Sequence, residues 1–303
     1  MHDLATSPPA PASPAPAAPA AIQHYENFPV ASLLCPAHLR SPISAIYHFA
    51  RTADDLADEG DATPAQRLQD LHDYRQGLNA CSPQTGTHRP TQAPVDARWT
   101  AVFGPLQHAI SAHQLPVPLL NDLLDAFVQD IEKSRDHATY ANEAELLDYC
   151  RRSANPVGRL LLHLYGVNSP QALAYSDDIC SALQLINFWQ DVSVDVPRGR
   201  YYLTQEDCVH FGVTQADMLA CRQTQNATNL IAACAYSARA RMLKGSQLVH
   251  LIPGRAGWEL RLVVQGGLRI LDKIEALHFA TFTTRPTVRW WDVPVMLWRA
   301  LWM

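Results

Sequence analysis

Ala45-Ile-Tyr-His-Phe-Ala-Arg51-Thr-Ala-Asp54-Asp55-Leu-Ala-Asp58-Glu59 runs from an apolar stretch straight into a cluster of carboxylates. A helix that is apolar nearly all round is buried, so carboxylates continuing directly from it line an interior rather than a solvated surface. Asp54 and Asp58 are four residues apart, which places them on one helix face, one turn apart. Like charges at that spacing repel and cost stability unless a cation lies between them. Taken alone, an acidic run is most often a solvated helix end.

A second stretch repeats the pattern. Leu185-Ile-Asn187-Phe-Trp-Gln-Asp191-Val-Ser-Val-Asp195 is again apolar and then acidic. Gln184 and Asn187 precede Asp191 by seven and four residues and share its face. Pro197 ends the predicted helix, and Arg198-Gly199-Arg200-Tyr201-Tyr202 follows. Two arginines around a glycine, next to a carboxylate face, suit bidentate phosphate capture or simple neutralisation of the aspartates. Arg51, three residues before Asp54, can orient that carboxylate or reach a phosphate. Two such clusters in one helical chain are far less expected by chance than one. Oxygen-only donors suit a hard ion, Mg²⁺ above all, held by a few carboxylates and completed by water and phosphate oxygens.

The surrounding sequence is helical throughout. Helical periodicity is expected over about 43–59, begun by Ser41-Pro42 as cap and first helical residue, then over 65–78, 98–113, 117–134, 143–152, 156–166, 170–195, 214–251 with breaks, and 256–279. Period-two runs of Val, Ile and Thr are nearly absent, so no strands are expected. Pro156 interrupts the chain at Tyr149-Cys-Arg-Arg-Ser-Ala-Asn155-Pro156, where a broken helix exposes unpaired backbone groups to substrate or water, or simply joins two helices. The organisation read from the chain is an Ala/Pro-rich arm at 1–21, one helical domain at 22–287 and a Trp-rich tail at 288–303, with a Pro/Thr-rich loop at 82–97.

Bulk properties narrow the function. The chain has 303 residues, 48% hydrophobic and 17% charged, with a net charge of −5. It can bury a sizeable core and shows no Lys/Arg run, so nucleic acid is not an expected partner. Seven cysteines without a CxxC read as reduced, buried thiols of a cytosolic protein. The arm lacks a basic and an apolar region, so it is not a signal peptide. No run of eighteen apolar residues predicts a transmembrane helix. Thirteen histidines are scattered without ligand or nucleophile spacing. No nucleotide fingerprint appears, so NADPH is not expected. The tail carries Trp290, Trp291, Trp298 and Trp302 with Arg289 and Arg299. That composition suits either packing on the domain or peripheral contact with a membrane surface.

From about Tyr25 to about Arg285 the chain resembles the squalene/phytoene synthase family, whose all-α isoprenoid-synthase fold is a single helical domain around a central cavity. Three blocks carry the resemblance: Tyr47-His-Phe-Ala-Arg51 with Asp54-Asp55-x-x-Asp58-Glu59; Tyr149-Cys150; and Gln184-x-x-Asn187-Phe-x-x-Asp191-x-x-x-Asp195-x-x-Arg198-Gly-Arg200-x-Tyr202-Leu. The resemblance implies that Asp54, Asp58, Asp191 and Asp195 bind Mg²⁺, with Mn²⁺ an alternative, and through it a prenyl diphosphate. It places Asn187 as a further metal ligand, Arg51 at the diphosphate, and Tyr149 near the reacting carbons. Gln184, Arg198, Arg200 and Tyr201 complete the candidate diphosphate site. Glu26-Asn-Phe-Pro-Val-Ala-Ser32 and Ser153-Ala-Asn155-Pro156-Val-Gly158 resemble the hopanoid-pathway hydroxysqualene synthases, which take presqualene diphosphate and water to hydroxysqualene. Asn155, a buried amide in need of partners, is the candidate for positioning that water. Near the C-terminus Leu268 stands before Arg269 where phytoene synthases carry Tyr. Head-to-head prenyl condensation and a non-catalytic assembly role are the alternatives. The four aspartates argue against the second.

Overall fold

The protein is described by a computed structural model, covering residues 35–81, 96–252 and 254–303. The arm at 1–21, the Glu26–Ser32 segment and nearly all of the 82–97 loop lie outside the described residues. Among the described residues there are thirteen α-helices and no strand. They are α1 (Ala37–Asp58), α2 (Pro64–Cys81), α3 (Thr100–His113), α4 (Val117–Asp136), α5 (Glu143–Ser153), α6 (Asn155–Leu164) and α7 (Pro170–Gln190). Then come α8 (Val192–Asp195), α9 (Gln205–Phe211), α10 (Gln215–Leu219), α11 (Gln225–Gly245), α12 (Gly254–Ala276) and α13 (Val293–Leu301).

Local chemistry sets five of the helix starts. Asn142, Ser169, Thr204, Thr214 and Thr224 each accept a hydrogen bond from a backbone N–H of the first helical turn, satisfying donors that the helix itself leaves open. Helix α1 departs from expectation. It starts at Ala37, and Pro42 lies inside it rather than at its first position. The extra turn and a half is held by packing: Leu39 and Ile43 are buried with Cys35 against Leu161, Leu164 and Tyr165. That burial offsets the backbone hydrogen bond lost at Pro42. The 170–195 run also divides. At Asp191 the backbone leaves helical geometry (φ −102°, ψ 11°), and its carbonyl accepts from both Val194 and Asp195. The one-turn spacing of the two carboxylates survives this tightening. Helices α9 and α13 lie where no helix was expected.

Two apolar cores make up the interior. Phe49, Tyr74, Phe103, Leu120 and their neighbours form one, built by α1 to α4. The other centres on α7 and α11, with α5, α12 and Phe282 contributing. Across α7 and α11 the approach is close enough to exclude side chains. A Cβ on Gly245 would sit 2.7 Å from the Tyr175 carbonyl oxygen and 2.8 Å from the Ile179 amide nitrogen. Asp178 of α7 is clamped on the same interface by Arg241 at 3.2 Å and Lys244 at 2.8 Å. All seven cysteines are free, buried or half-buried. The site lies on the seam between the two cores, where the C-terminal ends of α1 and α7 meet α4 and α5.

Gly245→Ala sets a better helix former against backbone atoms that cannot retreat. It is expected to destabilise the fold by about 1–3 kcal/mol, read as a lower denaturation midpoint in urea; an unchanged midpoint would show that the α7–α11 contact has slack.

Candidate active site

The first acidic motif occupies the last turn of α1. Arg51 reaches Asp54 at 3.2 Å, Asp55 at 2.8 Å and Glu59 at 2.8 Å, so one guanidinium offsets two carboxylates of α1 and the one just past its end. The second motif lies at the end of α7 and in α8. Gly199 takes a left-handed conformation (φ 78°) that suits glycine. It turns the chain back so that the Arg200 amide bonds the Asp195 carbonyl. The two arginines of this turn part company there. Arg198 is exposed and makes no ion pair with the described residues, although its charge bears on Asp195. Arg200 reaches across to Asp58 and forms a direct ion pair. The basic turn after the second motif therefore neutralises the first.

The second motif has its own cation, one that sequence reasoning missed. Arg285 grips Asp191 through two hydrogen bonds of 2.6 and 3.0 Å. It is delivered there by Gln190, whose amide donates to the Pro286 carbonyl at 2.7 Å. No motif surrounds Thr284-Arg285-Pro286, and 94 residues separate the pair; nothing in the sequence pointed to it.

A further carboxylate was also missed. Asp130 projects from α4 and accepts a 2.6 Å hydrogen bond from the Tyr149 hydroxyl. Shielding from water, with the charges of Asp54 and Asp195 nearby, pushes its carboxyl up to about 7. Asp195 is likewise pushed up to about 7 by burial and by Asp191, against the pull of Arg198 and Arg285. Asp130 stands seven residues after the buried Leu123, on the apolar stripe of its helix; that misplaced charge was the available signal.

Aromatic rings close the space beside these carboxylates. Tyr149 is buried, with ring centres of Tyr140, Phe188 and Tyr202 at 5.6, 6.1 and 6.2 Å. Phe188 and Tyr202 stack at 3.7 Å and 10°. Burial and the Asp130 charge hold the Tyr149 hydroxyl well above the usual phenol range, so it is a proton donor at neutral pH. Phe188, Trp189, Asp195, Arg200, Tyr201 and Tyr202 line a small cleft at this point. Gln184 and Asn187 are half-buried on α7. Asn155 begins α6 and is buried, its side-chain oxygen accepting from the Ser181 hydroxyl at 2.9 Å.

Among the described residues no three acidic, His or Cys side chains form a ready-made ion cage. The donor chemistry nonetheless fits a hard divalent cation. The carboxylates supply only oxygen, and burial beside other carboxylates pushes two of them, Asp130 and Asp195, up to about 7. Mg²⁺ typically takes one or two protein carboxylates and keeps water and phosphate oxygens for the rest.

An all-α bundle without strands among the described residues fits the isoprenoid-synthase fold. Squalene synthase HpnC from Alicyclobacillus acidocaldarius superposes with a TM-score of 0.72 at 34% identity, over 84% of this chain and 90% of that one. The family model for squalene/phytoene synthase matches residues 22–292. The chain belongs to the squalene/phytoene synthase family. Similar relatives include the hydroxysqualene synthase of Zymomonas mobilis, 38% identical over 64% of this chain and 59% of the relative. That of Sinorhizobium fredii is 31% identical over 85% of this chain and 80% of the relative.

A carboxyl raised to about 7 is still protonated in the folded state between about pH 4 and 7, where the unfolded chain has released the proton. Its stabilising contribution is therefore complete below pH 4 and lost as pH rises through 7. Asp130→Asn keeps an acceptor for Tyr149 and removes the ionisation. With chelator present, the variant is expected to gain on the natural protein as pH rises from 4 to 8, by about 1–3 kcal/mol at pH 8. Denaturation midpoints across that range check this, and parallel pH curves would contradict it.

Proposed function

We propose that the protein is a hydroxysqualene synthase, a carbon–oxygen lyase that converts presqualene diphosphate and water to hydroxysqualene and diphosphate in squalene and hopanoid biosynthesis. One observation carries the reading: two paired-carboxylate motifs, cross-linked by Arg200 and joined by Arg285, stand beside an aromatic wall of Tyr140, Tyr149, Phe188 and Tyr202. Family membership and the names of the relatives above support it.

The residues divide the work by charge. Asp54, Asp58, Asn187, Asp191 and Asp195 are the candidate ligands of Mg²⁺ or Mn²⁺, which as a Lewis acid offsets charge on a departing diphosphate. Arg51, Arg198, Arg200 and Arg285 supply donors to the same oxygens, and Gln184 and Tyr201 are candidate neutral partners. Breaking the carbon–oxygen bond leaves its electron pair on diphosphate and a cation on the hydrocarbon. Ring faces attract a cation, and the packed aromatics exclude stray water. The cyclopropane then opens, a water oxygen bonds to carbon, and its proton leaves, giving the alcohol. Asn155 keeps its amide N–H groups as donors while Ser181 holds its oxygen, and it is the candidate for placing that water. No step calls for a reductant. Head-to-head condensation of prenyl diphosphates is the second reading, favoured by phytoene synthase relatives such as that of Rhodobacter capsulatus at 31% identity.

Purified protein with Mg²⁺ is to be offered farnesyl diphosphate and presqualene diphosphate separately, with products separated by gas chromatography–mass spectrometry. Hydroxysqualene from presqualene diphosphate alone is expected. Presqualene diphosphate or a hydrocarbon made from prenyl diphosphates would assign the condensing reaction instead. Asp54→Ala and Asp191→Ala are each expected to lower diphosphate release at least about a hundredfold with the fold intact, and chelation is expected to stop release until Mg²⁺ or Mn²⁺ is restored. Full turnover in either variant removes the metal-site assignment. Asn155→Ala is expected to shift product from alcohol towards hydrocarbon or elimination products; an unchanged spectrum removes its role in placing water.

A further inference from the structure

Helix α13 is fixed to the domain through its inner face, and the manner of fixing leaves an unusual outer one. Asp292, fully buried, meets Arg269 at 2.7 Å and Lys273 at 2.8 Å and accepts from the Arg289 amide at 2.7 Å. Arg261 donates to the carbonyls of Ala300, at 3.2 Å, and Met303. Arg299 pairs with Asp272 at 2.5 Å. Met296 and Ala300 point inward and are buried. These contacts pin both ends of the helix to α12.

The outward side chains are large and apolar. Trp290 is 79% exposed, Trp302 76%, Trp298 62% and Leu301 57%, with Val293 and Leu297 beside them. Trp298 and Trp302 touch edge to face at 5.7 Å. The patch does not end with the tail. Trp258 of α12 is exposed, and the Arg261 guanidinium that holds the end of α13 stacks over its ring at 5.3 Å. Two segments some forty residues apart therefore share one aromatic surface.

Charge around this surface differs from the rest of the chain. Residues 254–303 carry seven Lys/Arg against four Asp/Glu, in a chain whose net charge is −5; setting aside Arg285, which serves the active site, six cations remain. Three of those four carboxylates, Asp272, Glu275 and Asp292, are engaged by arginine or lysine, and Arg269, Lys273 and Arg299 are engaged in return; Arg255 and Arg289 are exposed. Arg289 lies 5.0 Å over the Trp291 ring, so positive charge rims the indoles.

We propose that this α12–α13 face docks the protein on an anionic lipid bilayer, with Trp290, Trp298 and Trp302 in the headgroup region and Arg255, Arg289 and neighbouring cations against the headgroups. Indole with arginine is interfacial chemistry. A nine-residue helix spans about 14 Å, too short to cross a bilayer, so it lies along the surface. Among the described residues no helix is long and apolar enough to cross. A second copy of the chain, meeting this face about a two-fold axis, would bring the same cations against each other; an anionic surface does the opposite. The inference stands apart from the proposed reaction, because the patch shares no residue with the active site.

The full chain is to be floated with phosphatidylcholine vesicles and with vesicles containing a quarter phosphatidylglycerol, following tryptophan fluorescence. Binding at least tenfold tighter to the anionic vesicles is expected, weakened by salt, with a blue-shifted emission. The double variant Trp298→Ser with Trp302→Ser is expected to lose at least tenfold in vesicle affinity while its circular dichroism and denaturation midpoint stay unchanged. Failure of the natural protein to bind either vesicle, or equal binding by the double variant, overturns the proposal. Self-association that the double variant abolishes, without vesicle binding, assigns the face to a second copy instead.

Discussion

Repulsion among carboxylates at the seam of the two cores is the constraint around which the site is organised. Asp54, Asp58, Asp130, Asp191 and Asp195 are held in one region by helices that pack for other reasons. Each like-charge pair opposes that arrangement, and partial burial raises the cost. The fold answers with arginines drawn from three parts of the chain: Arg51 within α1, Arg200 from the turn after α8, and Arg285 from the segment before α13. Burial, with the carboxylate charge that the arginines leave unbalanced, pushes Asp130 and Asp195 up to about 7.

The rigidity that sustains this arrangement comes from the packing behind it. Gly245 lets α11 lie against α7 at backbone contact, and Asp178 is locked on that interface by two cations. In the other core the Tyr74 hydroxyl donates to the Phe49 carbonyl at 3.1 Å, holding α2 on α1 just ahead of the acidic motif. The carboxylates stand at the edges of both cores, while the aromatic wall of Tyr140, Tyr149, Phe188 and Tyr202 belongs to the α7–α11 core. Each core supplies a stiff support at whose end charge can be held against its own repulsion, and a helix loosened in either core would let the carboxylates drift apart.

Such a site is better matched to a ligand pair than to its own residues. A polyanion with divalent cations, as the proposed reaction requires, would bring positive charge to the aspartates and negative charge to the arginines. The aromatic wall beside them is suited to the opposite problem, since ring faces and a dry environment favour a hydrocarbon cation that water would otherwise quench. Placing both environments within one turn of helix separates charge as a bond breaks.

The sequence by itself determined the helical class, the two acidic motifs and the family, because helix periodicity and i, i+4 spacing are local properties that eleven or so residues suffice to express. Arg51 with Asp54 was legible for the same reason. Only the tertiary structure decided the start of α1 at Ala37, where burial of Leu39 and Ile43 outweighs Pro42, and the break at Asp191. It also decided that Arg200 serves Asp58 rather than its own motif, that Arg285 serves Asp191, and that Asp130 joins Tyr149. Each of these pairs lies far apart in the chain, and side-chain chemistry alone does not say which arginine meets which carboxylate. That is settled by where packed helices point them.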